Sequence, residues 1–556
     1  MAPSTPRDTS IDALDRQVFD VLVIGGGING AVSTAALRSR GADVALIDRG
    51  DFAGFTSMHS SNLAWGGIKY LETWEFGLVR KLCRSRNELL RAYPSAVREV
   101  RFFTTLTRGF RHHRWFLFLG ALLYWAIGGF FTRRPRLLSN ADIARDEPAV
   151  DVTNAAGGLE YSDAYFVDND AYFVFRFVRD AMEAGAVAVN YVESLGSSWD
   201  GEQWITRVRD RVTQRVVEVR SRALVNACGP MVEEHNERSE IRTDHRHVFS
   251  KGVHLIVPRV ANDARVLTFF ASDGRLFFVI PMGRCSSIGT TDTRVDTLPA
   301  VVTTDDRDFI LDNINERLKR QPPLSHDDVI AERCGVRPLV VSGEASQGDD
   351  DWTALSRKHV LEIDERRSHV CIFGGKLTDC VNVGEEVADA IGEVGIVLQD
   401  ADRRWYGEAG PTERERFFAR ATAMGLHEVG ERPVSEPPAE RLWRRYGPRA
   451  EAMLDAIEVD PSQGEVLIPG SDLLRTEAVH SARHERVVHL EDFLRRRTMV
   501  EQIVSPQALR QMPQLEELAT ILFGDRAAAE LAAYRGEPTA AIESIAVERA
   551  RNDRAC

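Results

Sequence analysis

The 556-residue chain has seven cysteines, scattered, odd in number and without a Cys-x-x-Cys pair. That excludes a disulfide framework and a cysteine zinc site, and it fits a reducing, cytoplasmic setting. The opening stretch, Met1 to Gln17, lacks an apolar core and is polar and charged. A secretory signal is therefore not indicated, and 1–18 reads as a disordered leader. No run without charge reaches the ~20 apolar residues of a spanning helix. Positive charge is in deficit: the formal net charge is −13, which argues against nucleic acid as the main partner. Internal repeats and low-complexity tracts are also missing. What remains, 44% hydrophobic and 28% charged, is ordinary for a soluble globular protein. The length calls for two or three domains.

The most informative stretch is Val21-Leu22-Val23-Ile24-Gly25-Gly26-Gly27-Ile28-Asn29-Gly30-Ala31. An apolar strand enters a glycine turn and a small-residue helix leaves it, which is GxGxxG in the context it requires. Gly25 allows the tight turn, Gly27 admits a pyrophosphate to the backbone, and Gly30 lets helix and sheet pack. The helix N-terminus supplies unpaired N–H groups and partial positive charge to the diphosphate. The helix stops at Gly41, a left-handed cap, and a second strand, Val44 to Ile47, ends in Asp48. That carboxylate stands close to the ~20-residue spacing expected for a ribose-hydroxyl contact.

Further on, Glu75 to Tyr93 has an amphipathic helical pattern. The run 115–131 carries no charge and is flanked by Arg108, Arg111, Arg114, Arg133, Arg134 and Arg136. It is slightly short for a span; a buried helix and a monotopic membrane contact both fit it. Helix over Tyr172 to Ala184 and strands over Ala186 to Tyr191 and Trp204 to Val219 follow from the pattern. Leu224 to Pro230 reads as an apolar strand ending in small residues. From Phe249 short β-branched and aromatic runs broken by Pro and Gly predict a mainly antiparallel sheet, lying mainly within 249–370, as a substrate domain. Asp305 to Arg320 is helical in pattern. Ile372 to Thr378 repeats the strand–glycine turn–helix arrangement. Beyond about Asp400 helical patterns dominate, including Arg441 to Ile457 and Glu516 to Tyr534. His480, His484 and Glu485 could pass for a metal cluster, but solvated helix faces and ion pairs account for them better, and no metal site is expected.

Several motifs in the same order resemble the flavin-dependent glycerol-3-phosphate dehydrogenases, within the D-amino-acid-oxidase-like flavoproteins. Thr56 to Glu72 is similar to that family's SSKLxHGGLRYLE, with Asn62, Trp65 and Lys69 where Lys, His and Arg are usual. Leu159 to Asp168 matches a further family segment, and Asn226 to Pro230 resembles NATGPW. Lys251 to His254 resembles KGxH, Gly335 to Leu339 GxRPL, Gly374 to Thr378 GGKLT, and Glu477 to Thr498 the C-terminal HE…LEDxLRRRT. The resemblance spans about Asp20 to Val504.

It implies an α/β protein with a Rossmann-like FAD-binding domain, an antiparallel-sheet substrate domain interleaved with it over 19–400, and a C-terminal helical domain over 401–556. It also implies oxidation of sn-glycerol 3-phosphate to dihydroxyacetone phosphate by hydride transfer to FAD, with a quinone as final acceptor. A location on the inner face of the cell membrane, with 115–131 as a peripheral contact, goes with that; a homodimer is left open. FAD contacts are implied for Gly25, Gly27, Gly30, Asp48, Ser57, Ser60, Ser61, Gly66, Ala227, Gly229, Gly375, Lys376, Leu377 and Thr378. A helix N-terminus and Lys376 would steady the reduced ring. Catalysis falls to His254, Arg337 and Lys376: a base that titrates near neutrality, a planar fork for phosphate, and a point charge. Lys69, Tyr70, Thr291 and Asp292 would bind or orient substrate. The departures keep open a relative acting on another hydroxy acid, phosphorylated alcohol or amine, with oxygen or a quinone as acceptor. A third reading, a flavin-binding protein without turnover, is opposed by the retention of Lys376, Arg337 and His254 together.

Overall fold

The computed structural model describes residues 6–261, 265–342, 358–400, 403–427 and 436–537. It divides into two compact units, 1–409 and 410–556.

In chain order the first unit begins with α1 (Pro6–Arg16), β1 (Val18–Ile24), α2 (Ile28–Ser39), β2 (Val44–Ile47) and β3 (Leu63–Ala64). Then come α3 (Phe76–Ala92), β4 (Val97–Thr107), α4 (Arg114–Ile127), β5 (Arg136–Leu138), α5 (Asn140–Asp146), β6 (Ala155–Phe166) and α6 (Asp170–Glu183). The middle holds β7 (Val187–Val189), β8 (Val192–Trp199), β9 (Trp204–Asp210), β10 (Val216–Asn226), α7 (Val232–Arg238), β11 (His245–Pro258) and β12 (Arg265–Phe270). The last stretch has β13 (Leu276–Met282), β14 (Cys285–Gly289), β15 (Thr293–Val295), α8 (Thr304–Asn315), β16 (Ala331–Ser342), β17 (Val360–Asp364), β18 (His369–Phe373) and α9 (Cys380–Glu393).

Two sheets organise this unit. The first runs β17-β18-β10-β1-β2-β7, with the β8–β9 hairpin added beside β10. Its centre is parallel: β1 pairs with β10 and β2, β10 with β18, and β2 with β7. Strands buried on both faces, such as Val21 to Ile24 and Val44 to Ile47, are continuous apolar runs for that reason. The second sheet runs β15-β11-β14-β13-β12-β4-β6-β3, with β16 on β11 and β5 on β6. It is antiparallel except where β12 meets β4. This antiparallel sheet also takes in β3 to β6, from before Phe249. β17 and β18 belong to the dinucleotide sheet instead.

The opening residues depart from the disordered-leader reading. Pro6–Arg16 is helical, with Ile11 and Leu14 buried against the first sheet. Arg7 pairs with Asp210 at 2.7 Å, and Arg215 holds Asp12 and Asp15. The polar composition conceals a two-residue apolar stripe, too short for periodicity to register.

The second unit is helical. Glycines with positive φ break two of the long helices expected from periodicity. α10 (Pro411–Ala423) is followed by α11 (Pro438–Tyr446) and α12 (Ala450–Val459), separated at Gly447 and Pro448. α13 (Arg475–His484), α14 (Val500–Ile503) and α15 (Pro506–Gln511) lead to α16 (Gln514–Phe523) and α17 (Ala527–Arg535), parted at Gly524. Its charged motif is buried, not solvated: Glu477 takes Arg441 at 2.8 Å and Asp492 takes Arg496 at 2.6 Å. Glu485 is buried too and accepts the Ser481 hydroxyl at 2.6 Å. Among the described residues no group of three or more His, Cys, Asp or Glu is arranged to hold a metal.

Candidate functional site

The first βαβ unit builds one wall of a cavity. β1 delivers the chain to Gly25, and α2 starts at Ile28 with Gly27 as an N-cap that has no side-chain acceptor. A Cβ on Gly30 would stand 1.8 Å from the Gly25 carbonyl oxygen, so helix and turn meet at backbone contact. The Ile28 amide donates to Ser57 Oγ at 3.0 Å. Asp48 sits at the cavity edge with one carboxylate oxygen accepting from the Gly26 amide at 2.6 Å and the other from Gly50 at 2.8 Å. Burial pushes its pKa up, against the pull of those two amides. The carboxylate therefore fixes the glycine turn itself while lining the cavity.

Two further turns close the cavity. After β10 the Ala227 amide donates to the Ile24 carbonyl at 2.9 Å. After β18, Gly374 accepts from Asn29 Nδ2 at 2.9 Å and donates its amide to His247 Nε2 at 3.1 Å. Gly25, Gly27, Asp48, Ser57, Ala227, Gly229, Gly374 and Gly375 all line this one cavity of about 220 Å³. Asn29 and His247 were not singled out from the sequence. Asn29 occupies a free x of GxGxxG, and His247 lies on β11 with no motif around it, so only the fold reveals their roles.

Beyond Gly375 the chain reaches Lys376, whose Nζ donates to Tyr70 Oη at 2.8 Å and lies 4.3 Å from that ring's centre. Leu377–Asp379 form a short 3-10 turn leading into α9, with Thr378 buried. The second sheet brings the other polar group together. In register, His254 on β11 faces Gly289 on β14 and Arg333 on β16, while Ser250 faces Arg337. The Arg337 guanidinium donates to Asp292 Oδ1 at 3.1 Å, the Thr291 carbonyl at 3.4 Å and Thr290 Oγ1 at 3.2 Å. Ser250 also donates to Asp292 Oδ1. The fork lies directly on Gly252, where a Cβ would come within 2.2 Å of it. The Thr291 hydroxyl accepts the Val253 amide at 3.0 Å. Among the described residues neither ring nitrogen of His254 has a hydrogen-bond partner, and both are buried. Burial, then the Arg337 and Arg333 charges, push its pKa down to about 3. By contrast the lysine of the KGxH segment is structural: Lys251 donates to Asp306 on α8 at 2.5 Å.

Other implied contacts lie elsewhere. The Ser60 amide donates to Asp170, and its carbonyl accepts from Arg333. Ser61 follows it, outside the cavity lining. The Gly66 amide donates to buried Asp163 at 3.0 Å. Lys69 is exposed on the 3-10 turn Ile68–Leu71. Two of the three unusual residues have packing roles. Asn62 is buried with φ of 56° and accepts from Arg333, and Trp65 Nε1 donates to Tyr161 Oη at 3.3 Å.

Three turns of a parallel βαβ sheet converging on one cavity, with an antiparallel sheet in the same compact unit, define a dinucleotide-binding protein. Helix N-terminal donors without an acidic first turn, at a glycine surface open to the cavity, suit a diphosphate. The chain belongs to the FAD dependent oxidoreductase family, which residues 20–390 match, and within it to the glycerol-3-phosphate dehydrogenases. Residues 409–525 match the C-terminal domain of alpha-glycerophosphate oxidase. It is 32% identical to glycerol-3-phosphate dehydrogenase 2 of Mycobacterium tuberculosis, over 88% of this chain and 82% of that one. With the Pseudomonas tolaasii glycerol-3-phosphate dehydrogenase it shares 30% identity over 87% of this chain and 92% of the relative. In fold it is similar to the FAD-complexed glycerol-3-phosphate dehydrogenase of Bacillus halodurans: TM-score 0.71, 22% identity, 96% and 97% of the two chains covered. The protein is an oxidoreductase and its cofactor is FAD.

Proposed function

We propose that the protein oxidises sn-glycerol 3-phosphate to dihydroxyacetone phosphate and passes the electrons to a membrane quinone. Bound FAD supplies the hydride acceptor. The observation that supports the reading is that two cations adjoin, in sequence, residues of the cavity wall. Pro338, Gly374 and Gly375 line the cavity, and in this reading the adjoining Arg337 and Lys376 meet the substrate beside the ring. Arg337, oriented by Asp292 and Thr290, offers its fork to the phosphate. Lys376, steadied by Tyr70, supplies a second positive charge near the reacting centre. His254 is neutral at physiological pH, because its pKa lies far below 7. It does not titrate near neutrality as the family motif implies, since burial and the two arginine charges disfavour its protonated form. With neither ring nitrogen engaged among the described residues, it can accept a hydrogen bond from the alcohol's hydroxyl and serves as the base once bound substrate offsets those charges. Gly27, Asp48 and Ser57 hold the diphosphate and ribose end.

The apolar run 115–131 supports the membrane half of the reading. α4 is not a buried helix: Trp115, Phe116, Leu119 and Leu123 are exposed on it, and Phe130 and Phe131 just beyond. No helix among the described residues is long and apolar enough to cross a membrane. An exposed apolar stripe between basic flanks suits a peripheral contact with a bilayer, which would bring a lipid-soluble quinone within reach.

The test is anaerobic bleaching of the bound flavin with a panel of phosphorylated and carboxylated alcohols and amines. Glycerol 3-phosphate is expected to bleach it fastest. Faster bleaching by a carboxylate or an amine would replace the proposed substrate, and no bleaching by any would remove the activity.

A further inference from the structure

Where the apolar run ends, at Ala126 to Phe131, lies a cleft of about 870 Å³, walled by α3, the end of α4 with the turn after it, and the start of α9. Asn87 ties two of these walls together by donating to the Gly128 carbonyl at 2.9 Å. Its lining includes Arg80, Arg84 and Arg91 from α3, with Phe76 and Phe131 at the rim. Arg80 and Arg84 are one helical turn apart, so both can reach a single anion. Both are exposed and have no ion pair among the described residues. Arg91 stacks on Phe131, 4.6 Å from the ring centre. The two carboxylates in the lining are already occupied. Glu88 accepts from Arg404 and Tyr406, and Glu385 from Trp405 and Arg40. The cleft is therefore positive in net effect.

Its rim and the α4 face that leads to it carry the side chains a headgroup layer favours. Trp74 is 78% exposed and packs against Phe76, while Phe130 is 60%, Leu119 61% and Phe116 63% exposed. Aromatic rings favour the level of the lipid headgroups, apolar side chains the level below, and arginines the phosphates between.

We propose that this cleft binds the phosphate of an anionic phospholipid in the bilayer on which α4 rests, Arg80 and Arg84 gripping it. The proposal depends on the reading of α4 as a membrane contact, and it adds a defined site and a lipid class to that reading.

The holoenzyme is sedimented with vesicles of phosphatidylcholine alone and with phosphatidylglycerol mixed in. The parent protein binds the anionic vesicles at least tenfold more tightly. Two basic residues near a charged surface contribute about thirtyfold together, so R80Q/R84Q loses about that factor on anionic vesicles and nothing on neutral ones. Its flavin content and dye-linked turnover stay at the parent level. R207Q/R209Q on β9, in the other sheet, leaves binding unchanged. F116S/L119S weakens binding to both vesicle types. Equal losses from the two arginine pairs would mean diffuse attraction and overturn the site. Equal binding to neutral and anionic vesicles overturns it too while leaving the membrane contact standing. Absence of binding to any vesicle, or self-association abolished by F116S/L119S in its place, overturns both.

Discussion

At the scale of single residues the account turns on how His254 and Arg337 are held. H254Q should lower kcat by about a hundredfold or more, the usual weight of a general base, with the yellow holoenzyme intact; a flavin spectrum and steady-state rates check both halves. Lys69, exposed and away from the cavity lining, should matter less: K69A is expected to change KM far less than R337A does. Gly27 should be strict for another reason. G27V places a branched side chain at an extended N-cap that faces the cavity, and the purified protein should lack FAD, read directly from its absorbance. Legibility at this scale follows chemistry that must recur in a fixed pattern. The glycine turn is readable because each glycine answers a steric demand, whereas Arg337 and Lys376 stand out only through the motifs around them. Asn29 and His247 are not readable, since a side chain that hydrogen-bonds a distant turn leaves no local trace. Ser60 and Gly66 sat in the right motif, yet their amides serve carboxylates of α6 and β6.

At the scale of elements, α3 and α4 are joined to the 56–72 segment by one buried cluster. Asp163 on β6 accepts from Arg86 at 3.0 Å, Tyr124 at 2.8 Å and the Gly66 amide at 3.0 Å. Burial raises the Asp163 pKa while Arg86 opposes it. Removing one member leaves a buried charge unpaired, so D163L should destabilise the protein by about 3–5 kcal/mol, measured by denaturant unfolding of the holoenzyme. A shift under about 1 kcal/mol would mean that the cluster adds little. Helix periodicity marked α2, α3, α6 and α9 correctly because each buries a continuous apolar face. It ran through Gly447 and Gly524 because apolar residues on either side kept the phase while the backbone turned back. α1 escaped notice for the opposite reason, its anchoring being two apolar side chains and several ion pairs.

At the scale of the whole molecule, three buried histidines tie stability to acidity. Burial pushes His235 to about 4 and His254 and His369 to about 3, from 6.5 when exposed. Below 6.5 the unfolded chain takes up protons that the folded protein refuses. Stability is therefore full above that value and falls as pH drops toward 4, by about 1.4 kcal/mol per pH unit for each group. His359 and His489 are shifted upward and pull the other way, so the readout is a difference. H369F should lose less Tm between pH 7 and pH 5 than the parent, and an equal loss would mean that the His369 ring is not buried as a neutral group.

The central claim is that one cavity holds FAD while Arg337 and its neighbours present a phosphorylated alcohol to it. Rapid anaerobic mixing with glycerol 3-phosphate, following flavin absorbance in the parent and in R337A, tests it most directly. Loss of a charge-assisted contact predicts half-saturation raised by one to two powers of ten in R337A, with bound FAD and its spectrum unchanged. Bleaching by R337A at the parent's rate and concentration dependence would contradict the account.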